Sequence, residues 1–336
     1  MKGLWGRISN REAVEAAGGV GCAPSSQGVG GRRRLDRWAA RLLFLLSAPA
    51  VVLVVAMVAA LLIRAWPILQ LKPAWVLLSG QTWRPMQKEF GLYPFIAGTL
   101  WVTAAAMLLA VPPSLLSAIY LAEYARPPLR AAMKPLLDLL AGIPSVIYGV
   151  WGMLTIVPWV QASVAPALGR RLGFLPLFAV HNPTGFSVLA GSIVLAVMVT
   201  PVIIPVAAEV LRAVPDGLRE ASLAMGATRW QTFKHAVLPQ ALPGIIASIV
   251  LGFSRAFGET MAVLMVVGNV AQVPRSVFDP AYPLTALIAN NYGEMLSIPL
   301  YDAALLGAAL VLLLVVLVFN ILSRLILRRV AGRPIG

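Results

Sequence analysis

Long apolar runs alternate with short polar segments along most of this chain, and their lengths predict helices that cross a membrane. Leu42 to Ile63 is 22 residues without a charge, and a bilayer takes roughly 20 helical residues to cross. Comparable runs cover about Phe95–Leu121, Leu136–Val160, Phe186–Ala208, Leu242–Val267 and Ala303–Leu322. An all-α polytopic membrane protein with six transmembrane helices follows. Pro112 and Pro113 should kink or divide the second span, and Pro201 and Pro205 should bend the fourth. Gly142 and Pro144 predict irregular backbone in the third, tolerable only where protein or a water-filled cavity surrounds it. An external loop follows, from the end of the third span to about Asn182. Trp66, Trp75, Trp83 and Tyr93 read as interfacial aromatics flanking the first two spans.

One stretch breaks the pattern. Pro215 to Pro239 is polar and basic, and it reads as two short helices joined by a turn at Gly226. Asp216 is a candidate N-cap after Pro215, Gly226 a left-handed C-cap, Thr228 the cap of the second helix and Pro239 its stop. Leu218, Ala221 and Met225 share one face of the first helix; Trp230, Phe233 and Val237 share one face of the second.

Composition agrees with the runs: 59% of the 336 residues are hydrophobic and 12% charged. The net charge of +14 is a matter of orientation. Of the 27 Lys and Arg residues, 19 fall on the side that holds both termini and the Pro215–Pro239 hairpin, and 7 on the other. That asymmetry predicts cytosolic termini and a cytosolic hairpin. Residues 1–36 form an expected disordered basic tail, and 37–330 the membrane domain, with its core at 95–322 and the hairpin loop at 212–240. Cys22 alone supports neither a disulfide nor a cysteine metal cluster, and no apolar run precedes it to make a lipidation signal. His181 and His235 fall in loops on opposite sides, so no intramembrane hydrolase is assembled from them. No P-loop pattern occurs, so any ATPase must be supplied by another chain. No cofactor is expected.

Two charges lie within the fifth span. Arg255 is about 12 residues in, roughly 18 Å deep, near the middle of a core about 30 Å thick. Glu259 is four residues on, on the same helical face. At that depth each costs about 2.5–3.5 kcal/mol on the milder insertion scale, so each should face a partner or water. Asp138 reads as a helix-end charge.

Glu220-Ala221-Ser222, then Gly226, then Leu238-Pro239 resembles the EAA loop of bacterial ABC importer permeases. Ser222 stands where that pattern has a second alanine, and Ala236 where it has an aliphatic residue. Ala-Gly-Ile-Pro-Ser-Val-Ile-Tyr-Gly at 141–149, Leu-Pro-Gln-Ala-Leu-Pro-Gly-Ile at 238–245 and Arg-Ala-Phe-Gly-Glu-Thr-Met-Ala-Val at 255–263 are similar to permeases of the phosphate-specific (Pst) system. Gly268-Asn269 after the last of these points to the PstC-type rather than the PstA-type subunit. The resemblance implies a type I importer (MetI-like) fold in a bacterial inner membrane, with a PstA-like second permease, a PstB-like ATPase dimer and a PstS-like external phosphate-binding protein. It implies that the hairpin docks on the ATPase through Glu220, Ala221, Ser222, Gly226, Leu238 and Pro239. It also implies that Arg255 attracts phosphate on the anion path while Glu259 limits how tightly it is held. A permease for molybdate or sulfate is the alternative, and an intramembrane enzyme a more distant one.

Overall fold

The computed structural model describes residues 27–180, 182, 184–293, 298 and 300–331, with side chains from Trp38 to Arg329. Of the stretch expected to be a disordered tail, residues 1–26 lie outside the described residues. From Gln27 the chain is helical, because Arg, Leu and Ala carry the helix back from the apolar run.

Among the described residues, six helices are long and apolar enough to cross a membrane: Trp38–Leu71, Tyr93–Tyr124, Ser145–Leu172, Val188–Arg212, Arg229–Gly258 and Tyr301–Arg329. The first belongs to α1 (Gln27–Leu71). Up to Ala59 its side chains are mostly exposed leucine, valine and phenylalanine, a surface suited to lipid. After it come α2 (Ala74–Ser79) and a two-stranded antiparallel hairpin, β1 (Trp83–Arg84) and β2 (Glu89–Phe90). Trp83 is more than an interfacial aromatic. Its ring stands edge-on to Phe90, Phe95 and Tyr301 at 5.4, 5.1 and 6.1 Å, inside a core cluster that includes Ile68, Leu284 and Leu287.

The second span, α3 (Tyr93–Tyr124), runs undivided through Pro112 and Pro113 and closes in a π-helical turn at Tyr120–Tyr124. The third is divided where Gly142 and Pro144 predict. α4 (Pro127–Gly142) stops, Ile143 and Pro144 are extended, and α5 (Ser145–Leu172) begins. A proline disfavours helical backbone in the residue before it, which accounts for Ile143. α5 carries π-helical turns at Gly152–Ile156 and Val160–Val164 and continues 12 residues past Val160, where a loop was expected.

The fourth span, α6 (Val188–Arg212), is the most buried of the six. Val188, Leu195, Val199 and Ile203 are buried there against Val102, Ala106 and Met107 of α3. At its N-terminus the amide groups of Val188 and Leu189, free at the start of any helix, donate to Asp279 O and Val277 O at 2.9 and 2.8 Å. A short helix, α7 (Asp216–Ala224), precedes the fifth span, α8 (Arg229–Gly258), which ends nine residues before Val267. Glu259 is extended and the chain restarts as α9 (Met261–Val266). After α10 (Leu284–Asn291), α11 (Tyr301–Ala331) supplies the last span.

Candidate functional site

The hairpin is built mainly from local signals. Pro215, not Asp216, occupies the N-cap of α7. Proline fixes the extended φ/ψ the cap needs, and Asp216 moves into the first turn, where its charge meets the positive end of the helix. Gly226 has φ +84°, the left-handed turn. Thr228 caps α8 in a reciprocal box with Gln231, their bonds 3.3 and 2.8 Å long. Pro239 does not end the second helix. A π-helical turn at Phe233–Val237 shifts the bonding register just ahead of it, so α8 passes through.

Phe233 and Val237 are buried with Leu211, Val214, Ala241 and Ile245, which anchors α8 to the end of α6. Trp230 stacks on Phe233 at 5.4 Å yet stays exposed. α7 has no buried residue, and Leu218, Leu223 and Met225 are exposed, Met225 by 89%. Ala221 and Glu220 are exposed as well, and Glu220 has no ion-pair partner among the described residues.

Polar bonds therefore hold α7, and sequence reasoning did not find them. Arg219 donates to Leu211 O at 2.6 Å, to Val214 O, to Asp216 and to Glu123 at 3.0 Å, tying α7 to the ends of α6 and α3 at once. Ser222, the departure from the loop pattern, bridges to Thr232 at 3.0 Å. The one available signal was Glu123, an acid at the end of an apolar span.

The second region lies beside the middle of α6. A Cβ at Gly252 would sit 2.7 Å from Ile203 Cδ1 and 3.0 Å from Val199 Cγ1, which places Gly252 level with the middle of α6. Arg255 follows within one turn. Because α8 ends at Gly258, Glu259 does not share its helical face, and the two form no ion pair within 4.0 Å among the described residues. Arg255 Nη2 instead donates to Ala141 O at 3.5 Å, beside the α4–α5 break. Glu259 Oε1 lies 3.5 Å from the amide of Ala262 in α9, and its carbonyl accepts from Thr285 Oγ1 at 3.1 Å. Two interruptions, Ile143–Pro144 and Glu259–Thr260, thus frame Arg255. α9 packs on α5 at Gly149, where a Cβ would meet Met265 Sδ at 2.7 Å.

Six spans, a discontinuous fifth span and a half-buried polar hairpin at one end of the bundle define a transport permease. Residues 114–332 match the family described as the inner membrane component of binding-protein-dependent transport systems. The chain is 37% identical over 295 residues, 86% of its length, to the phosphate transport system permease protein PstC of Xylella fastidiosa, of which 90% is covered. The PstC of Mesorhizobium japonicum is 35% identical over 260 residues, covering 76% of this chain and 79% of that one. Among solved structures, the inward-facing MetNI methionine ABC transporter superposes with a TM-score of 0.54 at 21% identity, covering 74% of this chain and 99% of the other. The chain belongs to the family of binding-protein-dependent inner-membrane permeases and, within it, to the PstC-type ABC permeases. It is a multi-pass transport component rather than an enzyme, and membership implies ATPase and substrate-binding partners.

Proposed function

We propose that this chain forms one wall of the phosphate path in an ATP-driven importer, beside a PstA-like permease, above a PstB-like ATPase dimer and below a PstS-like binding protein. The observation that carries the reading is Arg255, a mid-membrane guanidinium whose one bond is a long contact to Ala141 O. Arg255 is half-buried and has no counter-ion among the described residues, a costly state for a charge within a span, and a planar fork of N–H donors matches a phosphate oxyanion. Glu259, displaced from Arg255 by the helix break, leaves the cation free for the anion while still limiting how tightly it is held.

The hairpin faces the cytosol in this reading, and the exposed side of α7, with Glu220, Ala221 and Met225, seats on the ATPase. Gly226 sets the turn, and Leu238 and Pro239 join the hairpin to the span that bears Arg255. Closure of the ATPase pair on ATP then moves the spans around the path.

Reconstituted complexes test both parts. Arg255→Gln should assemble normally and lose phosphate uptake by ~100-fold, the loss of a charge-assisted contact worth roughly 3 kcal/mol. Glu220→Lys should keep basal ATP hydrolysis but lose its stimulation by the phosphate-loaded binding protein. Normal uptake in the first variant would remove Arg255 from the path, and normal stimulation in the second would remove Glu220 from the coupling surface. Competition with sulfate or molybdate, if either displaced phosphate at equal concentration, would reassign the substrate.

A further inference from the structure

A cavity of about 1190 Å³ opens between α4 and the hairpin end of α6. Its wall carries three cations, Arg130, Lys134 and Arg212, and two acids, Asp138 and Glu209. A bias of basic residues toward one side of a membrane accounts for their presence there. It does not account for how they are held.

Arg130 is immobilised. Its Nε donates to Leu121 O at 3.0 Å and its Nη2 to Ala122 O and Ala125 O at 3.1 and 3.2 Å, carbonyls at the end of α3. These bonds use three of the five guanidinium N–H groups. Both N–H groups of Nη1 have no acceptor among the described residues. Arg212, the last residue of α6, makes no side-chain hydrogen bond and no ion pair within 4.0 Å among the described residues; Arg130 acts on it as a like charge and Glu209 as an opposite one. Lys134 reaches only Glu209, at 3.8 Å, with both side chains about two-thirds exposed. Such an exposed pair is weak and easily exchanged for another anion.

The same cavity extends to Gly142, Ile143 and Pro144, the break beside which Arg255 meets Ala141 O. A clamped arginine with an open fork, an unpaired arginine and a loosely paired lysine thus line one continuous space that reaches toward Arg255.

We propose that this cavity holds a phosphoryl oxyanion, bound by Arg130 Nη1, Lys134 and Arg212. The fork gives directional bonds and the lysine a point charge. Asp138 and Glu209 leave the wall with a net charge of only +1, so the anion is held loosely, as a release station requires. Two sources share this chemistry: inorganic phosphate leaving the path, and the headgroup of an anionic lipid. Only the first rests on the import reading above.

Thiol accessibility tests the site without relying on transport. Cys22, the one cysteine of the chain, is replaced by serine, and Ala131→Cys is introduced on the cavity wall of the assembled complex in vesicles. Labelling by a sulfonate and by a trimethylammonium methanethiosulfonate is followed by mass spectrometry of the peptide and normalised to a free thiol. The sulfonate should label ~10-fold faster, the enhancement a cationic cleft gives an anion, and Arg130→Gln or Arg212→Gln should remove that preference. Slowing by inorganic phosphate in phosphatidylcholine vesicles identifies phosphate as the occupant; slowing only when phosphatidylglycerol is added identifies a headgroup. Either supports the site. Equal normalised rates with protection by neither would overturn it. Leu139→Cys, exposed on the same wall, repeats the measurement should Ala131→Cys fail to assemble. Arg255→Gln in parallel separates the two proposals: protection that persists there while uptake stays normal refutes the path reading alone, and lost uptake with no protection at 131 refutes this site alone.

Discussion

The hairpin and the break at Glu259–Thr260 are both interruptions of helix, and they are stabilised in different ways. In the hairpin, Gly226 takes positive φ, Thr228 and Gln231 satisfy each other's backbone groups, and Pro215 opens α7, all within a few residues of chain. At Glu259–Thr260 there is no proline, Thr260 does not cap α9, and the local support is slight: the Ala262 amide donates to Glu259 Oε1 at 3.5 Å and Thr260 Oγ1 to Gly258 O at 3.3 Å. The break rests instead on a residue 26 positions away, through the Thr285 bond to Glu259 O, and on α9 packing against α5. Water satisfies the free groups of an exposed turn. Inside a membrane only surrounding protein or a water-filled cavity can, so a break within a span draws on partners from other segments.

Four substitutions would break or sharpen that contrast. Arg219→Ala should have the largest effect. It strands Glu123, 15% exposed, and the carbonyls of Leu211 and Val214. The loss of a buried partner costs about 3 kcal/mol, seen as thermal destabilisation together with uncoupling of ATP hydrolysis from uptake. Should coupling survive, the link from α7 to α3 and α6 carries no force. Gly252→Leu should follow, at roughly 1–3 kcal/mol for overpacking against Ile203 and Val199. Thermal unfolding in detergent would read it, and an unchanged midpoint would mean that α6 and α8 separate freely.

Thr228→Ala removes a cap worth about 1 kcal/mol. Its signature should be faster amide exchange confined to Gly226–Thr232 with transport near normal. Thr285→Val should be the mildest in stability, about 0.6 kcal/mol for one intramembrane hydrogen bond, yet it should slow uptake more than Thr228→Ala does. If the two variants were ranked the other way in uptake, the Glu259–Thr260 break would not be part of the transport machinery.

Much of the hairpin was legible because its signals are local. Gly226 and Thr228 take the roles their residue types prescribe, and the same apolar side chains, Phe233 and Val237, that shared a face in sequence share a buried cluster in space. Asp216 and Pro239 did not, and each was displaced by a neighbour: Pro215 took the cap, and the π-helical turn absorbed the proline. Arg219 was hidden because its acceptors lie on α6 and, 96 residues away in sequence, on α3.

The sequence by itself determined that six helices are long and apolar enough to cross a membrane, where the polar hairpin sits between them, and that Arg255 falls within the fifth apolar run, since hydrophobic run length and residue spacing depend only on the chain. It also specified the break at Pro144, because proline acts on its immediate neighbour. Only the tertiary structure decided that α8 ends at Gly258, that Arg255 turns to Ala141 O rather than to Glu259, and that α7 hangs on Arg219. The physical reason is common to all three: a helix end, a buried charge and a polar clamp are fixed by where hydrogen-bond partners from other segments arrive, and that depends on packing.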